Sequence, residues 1–271
     1  MSEYDQDFFR EAQRLLGENA QRILNDILRH AAEVEQQAGA YGARLERHSA
    51  RLPDAASVDA LRNVLSHLRA DTRQMRSAVV DLQGNLAHSR EEIESLKREL
   101  EHARVEALTD ALTGALNRRG FELRLARVLA ESGDSGGAIS LIMLDIDHFK
   151  KINDAHGHLF GDEVIRTVAE TLRACVKGRD AVARLGGEEF CVLLPETSLA
   201  GARALAHNIR ARVERGRIRR HDSADEVGGI TISLGVAELS PREDTADFLD
   251  RADQALYCAK ESGRNRVSIA A

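Results

Sequence analysis

Residues 183–196 read ARLGGEEFCVLLPE. Gly186-Gly187 suits a tight turn, because glycine takes positive φ without a Cβ penalty. The flanking runs DAVARL and EEFCVLLPE read as the two strands of a β-hairpin. A hairpin tip has no need of adjacent carboxylates, yet Glu188 and Glu189 stand where the second strand begins. Their placement calls for a partner elsewhere in the chain.

A candidate lies upstream. GAISLIMLDID (137–147) is a nearly continuous apolar run that ends in Asp145 and Asp147. Such a run fits a central strand buried on both faces, and ligand sites in sheets of this kind gather at the ends of central strands. Taken alone, the two aspartates read equally well as solvated residues where the strand leaves the core. With Glu188 brought alongside by the hairpin, carboxylates would converge on a hard cation such as Mg²⁺. A divalent ion held this way commonly presents a phosphorylated substrate.

Around these strands the texture is mixed. FELRLARVLAE, NDAHGHLFGDEVIRTVAETLRACV, SLAGARALAHNIRARVERG and DTADFLDRADQALYCAKESG read as helices, and GGITISLGVAEL as a further strand. Strands alternating with helices, plus one hairpin, predict a mixed sheet covered by helices over residues 109–271. The basic cluster RGRIRRH (215–221) lacks interleaved aromatics and reads as a solvated loop.

Residues 1–108 lack strand alternation and read as helices broken at RLPDAAS (51–57), where Asp54 or Ser57 could cap a new helix. Phe9, Leu16, Ile23, Ile27 and Ala31 recur at helical spacing, and Gly39 and Gly42 leave open one helix or two. From Leu61, steps of four and three give Leu61, Leu65, Leu68, Thr72, Met75, Val79, Leu82, Leu86, Ser89, Ile93, Leu96, Leu100, Ala103 and Ala107. Among these only Thr72 and Ser89 are polar. The seven-residue repeat is that of a coiled-coil seam, with Leu86, Ile93 and Leu100 at a positions and Leu82 and Leu96 at d. In a parallel dimer, Glu92 and Glu99 at g would meet Lys97 and Arg104 at e of the partner chain. The alternative is a long helix packed within one chain; a four-helix bundle in the dimer combines both. His30, His48, His67 and His88 are too far apart along a helix to ligate a metal together, and a hairpin folded about Pro53 brings no two of them level.

Composition bounds the rest. The 271 residues are 43% hydrophobic with net charge −6, enough for a real core and without a general electrostatic case for nucleic acid or anionic membrane. Cys175, Cys191 and Cys258 have no metal-type spacing and suggest a reducing compartment. The acidic N-terminus is unlike a secretory signal, and no apolar run approaches a membrane span. A cytoplasmic protein is expected.

RLGGEEF, DIDHFKKINDAHGH, FGDEV, DALTGALNRRGF and AKESGRNRV, in this spacing over about residues 107–270, resemble the GGDEF domain of bacterial diguanylate cyclases. The resemblance implies an α+β architecture, an N-terminal helical bundle and coiled coil (1–108) followed by a GGDEF-type mixed sheet domain (109–271). It implies condensation of two GTP into cyclic di-GMP with release of pyrophosphate, across a dimer of domains. Within the motif Gly186, Gly187, Glu188, Glu189, Phe190, the third residue is Asp or Glu in this family, so Glu188 is an accepted variant. By position, Asp145 and Glu188 would bind two Mg²⁺ (or Mn²⁺) per site with help from the Ile146 carbonyl, and Glu188 would help take up the attacking hydroxyl's proton. Asn153 and Asp162 would read guanine; the backbone of His148, Phe149 and Lys150 would lie in a short loop beneath the phosphates. Lys260 and Arg264 would clamp the γ-phosphate, sharing a helix face if the helix persists past Gly263. The family's inhibitory Arg-x-x-Asp site is degenerate here, with Lys177 in place of arginine and Asp180 retained. A catalytically silent GGDEF-like GTP-binding and protein-interaction module is the alternative. The N-terminal helices are expected to form the homodimer, and they leave room for a protein or ligand input.

Overall fold

The middle strand of a five-stranded sheet is β1 (Ser140–Ile146), as its apolar run demands. In this computed structural model, residues 3–50, 58–132, 137–219 and 226–270 are described. The chain divides into two compact units, Met1–His102 and Ala103–Ala271.

In the first unit, α1 (Glu3–Ala50) is one unbroken helix through Gly39 and Gly42. It runs antiparallel to α2 (Val58–Leu108). Arg44 pairs with Asp71 at 2.9 Å, the Tyr41 and Thr72 hydroxyls lie 3.1 Å apart, and Arg22 pairs with Glu92. Two expectations change here. His48 and His67 do come level, their rings stacked with centroids 5.6 Å apart. A hinge at Pro53 would set His48 opposite residue 58; the observed register slides α2 by about nine residues, roughly 13 Å at 1.5 Å per residue. Among the described residues they belong to no metal-binding group. Glu92, expected to await Lys97 of a partner, is paired within its own chain, and Lys97 pairs with Glu94. Phe9, Leu16, Pro53, Asp54 and Ser57 bear on readings that lie outside the described side chains and residues.

Among the described residues, one face of the hairpin exposes a row of apolar side chains. Leu68, Met75, Leu82 and Leu96 are half-covered, whereas the a positions Leu65, Val79, Leu86, Ile93 and Leu100 are exposed. Leu24 and Leu28 of α1 are exposed as well. Ile23, Leu24, Ile27, Ile93, Leu96, Lys97 and Leu100 line a groove of about 320 Å³.

In the second unit the sheet order is β2-β3-β1-β6-β7, with β2 (Ala181–Gly186), β3 (Glu189–Leu194), β6 (Ile232–Glu238) and β7 (Val267–Ile269). All neighbours are antiparallel except β6 and β7. One face packs on α4 (Phe149–His156), α5 (His158–Cys175) and α6 (Leu199–Arg215), around Ile142, Phe190, Val164 and Ile209. The other face packs on α3 (Arg118–Ser132) and α7 (Thr245–Glu261), around Phe121, Leu141 and Phe248. Gly235 explains the closeness of α7 to the sheet: a Cβ there would meet the Leu256 nitrogen at 2.1 Å. Two short strands, β4 (Ile218–Arg219) and β5 (Glu226–Val227), pair outside the main sheet. The expected solvated loop at 215–221 therefore holds strand residues and the buried Ile218, which packs into the core; Arg220 and His221 are not among the described residues. Among the described residues no helix is long and apolar enough to cross a membrane.

Candidate active site

β2 turns into β3 through Gly187 and Glu188, with Gly186 opposite Glu189 and Gly187 at φ 45°. Glycine at the first loop position of a two-residue hairpin meets the need for positive φ. In register, Glu189 lies opposite Asp145 on β1, and the Ile146 N–H donates to the Glu188 carbonyl at 3.3 Å. Phe190, the next residue, is fully buried and anchors the turn to the core. Glu188 and Glu189 thus arrive at the C-terminal end of β1.

A second anchor was missed from the sequence. Arg184 reaches across the turn to the Gly187 carbonyl (3.0 Å from Nε and 2.8 Å from Nη2), while its Nη1 contacts both oxygens of Asp110. Asp110 also accepts from the Thr113 N–H and hydroxyl. Although burial opposes it, these hydrogen bonds and the Arg184 charge hold the Asp110 carboxyl below the ordinary value. The signal was available: Arg184 is the lone charge in the strand AVARLG.

The site is short of positive charge. Asp145 is buried, and Lys260 Nζ lies 2.8 Å from its Oδ2. Burial raises the Asp145 carboxyl above its usual range, against the pull of Lys260. Burial, and next the nearby Asp145 charge, raise Glu188 as well. Lys260 pairs with Asp145, and its charge also acts on Glu188. Among the described residues, no three His, Cys, Asp or Glu side chains form a ready-made metal cage. That donor set fits a hard cation bound by one or two carboxylates together with substrate oxygens, as Mg²⁺ usually is.

His148 caps α4 in the left-handed region (φ 58°), which turns the backbone sharply after β1. Phe149 and Lys150 form the first turn of α4 and not a loop, so their N–H groups are the unsatisfied donors of a helix start. Asn153 and Asp162 lie inside α4 and α5, and neither caps a helix. Asn153 Oδ1 is buried with no hydrogen-bond partner. It lies against Gly161, where a Cβ would come within 1.9 Å of it. Gly161 within the helical pattern FGDEV was the signal for this close approach.

Lys260 and Arg264 do not share a helix face. α7 ends at Glu261, and Gly263, Arg264 and Asn265 all have positive φ. Lys177 is exposed; its N–H donates to Asp180 Oδ2 at 2.9 Å and its carbonyl accepts from the Asp180 N–H, so Asp180 is held in a local turn.

The hairpin tip thus delivers GGEEF to the end of the central strand, beside the start of α4. The diguanylate cyclase GGDEF domain family matches residues 107–266. The chain belongs to this family. It is 38% identical over 214 residues to the diguanylate cyclase VdcA of Vibrio cholerae, covering 79% of this chain and 62% of that one. The coiled coil and GGDEF domain of DgcB from Caulobacter crescentus, solved with c-di-GMP, is 40% identical with TM-score 0.66, over 70% of this chain and 99% of that one. SiaD of Pseudomonas aeruginosa, solved with its activator SiaC, is 28% identical with TM-score 0.61, over 99% and 100%. The chain spans 62%, 32% and 51% of the lengths of VdcA, DgcP and PleD, curated relatives that it matches.

Proposed function

We propose that this GGDEF protein is a diguanylate cyclase that condenses two GTP into cyclic di-GMP and two pyrophosphates. The observation that carries the reading is the gathering of Asp145, Glu188 and Glu189 at the end of β1, where Lys260 pairs with Asp145. Asp145, Glu188 and the Ile146 carbonyl would hold two Mg²⁺ or Mn²⁺. Bound there, the ions would neutralise the triphosphate and lower the pKa of the 3′-hydroxyl. Each 3′-oxygen forms a bond to the other nucleotide's α-phosphorus, and the bond from that phosphorus to the oxygen bridging to the β-phosphorus breaks. Glu188 would also help take up the hydroxyl proton. Lys260 exchanges Asp145 for the γ-phosphate, joined by Arg264, while the N–H groups at the start of α4 receive phosphate oxygens.

Asn153 and Asp162 read the guanine edge, the amide and carboxylate supplying complementary acceptors and donors. The unpartnered, buried Asn153 Oδ1 supports this, as an acceptor kept for a ligand. Gly161→Ala is expected to push Asn153 aside and weaken GTP binding about tenfold or more, the order of one lost hydrogen bond to a base edge plus local strain. Titration calorimetry with GTP and with ATP checks it: the preference for GTP over ATP is expected to collapse.

The exposed lysine in the degenerate inhibitory window cannot make arginine's planar two-pronged contact. Lys177→Arg is expected to strengthen inhibition by cyclic di-GMP about tenfold, read from dose–inhibition curves; unchanged inhibition would remove Lys177 as the cause.

The active unit is a homodimer joined through the exposed a-position stripe of α2, and residues 1–108 receive a regulatory input. Support for a protein input is that SiaD, matched over 99% of this chain, is solved with a protein activator. Incubating the purified chain with GTP and Mg²⁺ and separating the nucleotides by chromatography tests the reading. Cyclic di-GMP is expected; a folded dimer that binds GTP but yields none, even when a strong zipper fused before Thr109 forces the domains together, would leave a silent binding module.

A further inference from the structure

The turn after α7 is costly backbone. Gly263, Arg264 and Asn265 have φ of 113°, 61° and 48°. Only glycine enters the left-handed region freely; asparagine tolerates it, and arginine bears a steric cost there. Neighbouring elements must therefore hold this turn in place.

Three elements meet at Asn265. Its N–H donates to Asp147 Oδ2 on the β1 side at 3.0 Å. Its side-chain oxygen accepts from Arg210 Nη1 at 2.8 Å, and its amide nitrogen donates to Glu214 Oε1 at 2.7 Å, both partners being on α6. Arg210 and Glu214 are themselves paired at 2.9 Å. Asp147, only 4% exposed, is pinned in turn by the Thr231 and Ser233 hydroxyls, each at 2.7 Å. Directly after the turn, the Arg266 carbonyl accepts from the Leu234 N–H at 2.9 Å as β7 joins the sheet.

Arg264, the residue in between, is treated differently. Its backbone is bound, the N–H donating to the Ala259 carbonyl at 3.1 Å and the carbonyl accepting from Arg266 Nε at 3.1 Å. Its guanidinium makes no ion pair with any described residue. The network fixes the main chain of Arg264 on both sides while its cationic side chain stays available. A turn that only joined α7 to β7 would be cheaper with glycine at that position.

We propose that Asn265, braced by Asp147, Arg210 and Glu214, is a positioning residue that aims Arg264 at the terminal phosphate of bound GTP. This rests on reading Arg264 as part of the γ-phosphate clamp. Asp147, neighbour of the metal-binding strand end, then links the two halves of the triphosphate site through one carboxylate, so that clamp and strand end move as one body.

The test separates a positioning role from a structural one by asking only about the γ-phosphate. Binding of 3′-deoxy-GTP, which lacks the attacking hydroxyl and is not turned over, is compared with binding of GDP, both with Mg²⁺, by calorimetry on the full chain. Arg264→Ala, Asn265→Ala and Asn265→Gly are measured beside the parent; the glycine variant keeps the left-handed backbone accessible and guards against misfolding in the alanine one. Asn265→Ala and Arg264→Ala are each expected to lower the triphosphate-over-diphosphate preference about tenfold, the order of one charge-assisted hydrogen bond. GDP affinity stays within about twofold, and Asn265→Gly gives a smaller loss of the same kind. If Arg264→Ala lowers the preference but both Asn265 variants keep it, or weaken the two nucleotides equally, the positioning role is overturned. If Arg264→Ala itself leaves the preference unchanged, the clamp reading falls and takes the proposal with it.

Discussion

Replacing Glu188 by glutamine is expected to lower cyclic di-GMP formation by about three orders of magnitude while leaving the fold intact. Glutamine keeps the size of the side chain and leaves the Gly187–Glu188 turn, the Arg184 contacts to Gly187 and the Lys260–Asp145 pair undisturbed. What disappears is one negative charge and one oxygen that can bind a cation or accept a proton. A catalytic cation contributes several kcal/mol, and each 1.36 kcal/mol is tenfold in rate. Stability runs the other way. The folded-state pKa of Glu188 is raised, so ionising it opposes folding, and that penalty develops as pH rises from the ordinary carboxylate value through the folded one. The glutamine variant should therefore unfold at the same or a slightly higher temperature than the parent at neutral pH. Product analysis with a parallel melting curve decides the matter: a stable variant that still turns over GTP at the parent's rate removes Glu188 from the chemistry.

The second large effect belongs to the helices. Val79→Asp together with Leu86→Asp is expected to convert the dimer to monomer and cut specific activity at micromolar protein by a hundredfold or more. Both side chains are exposed in the single chain, 37% and 42% respectively, so neither supports the α1–α2 hairpin strongly. In a seam each would be buried against its copy, at about 1.5–3 kcal/mol per side chain, and two opposed aspartates would repel. Tethered domains meet at effective concentrations near millimolar, whereas free monomers meet at their bulk concentration. Activity per molecule should then rise with protein concentration, which it does not do in a stable dimer. Light scattering alongside a dilution series of activity reads both. A monomeric variant with undiminished activity would show that the GGDEF units meet without the α2 seam.

Much of this molecule is legible one segment at a time. The run LIMLDI reads as a buried central strand because each residue must find apolar neighbours on both faces, and it is the middle strand. GGEEF reads as a turn followed by a strand because glycine supplies the required φ and Phe190 supplies the anchor, although the turn falls one residue later than expected, at Gly187 and Glu188. The heptad positions of α2 are equally local, and the apolar a positions Leu65, Val79, Leu86, Ile93 and Leu100 are exposed in the single chain. Where the reading of the histidines failed, the missing quantity was an offset between elements. The level of His48 against His67 depends on how two helices slide past each other, and an error of a few residues in the hinge moves every cross-helix pair by more than a nanometre.

The sequence by itself determined the fold class, the family and the residues that bring charge to the end of β1, because these follow from periodicity and from turn chemistry within short windows. Only the tertiary structure decided who holds whom. It gave Lys260 to Asp145, Arg184 to both Asp110 and Gly187, and Asn265 to Asp147, Arg210 and Glu214, pairs separated by up to 118 positions along the chain. Such contacts are chosen when sheet order and helix packing bring distant segments into register, and a buried polar group takes whichever partner that geometry delivers.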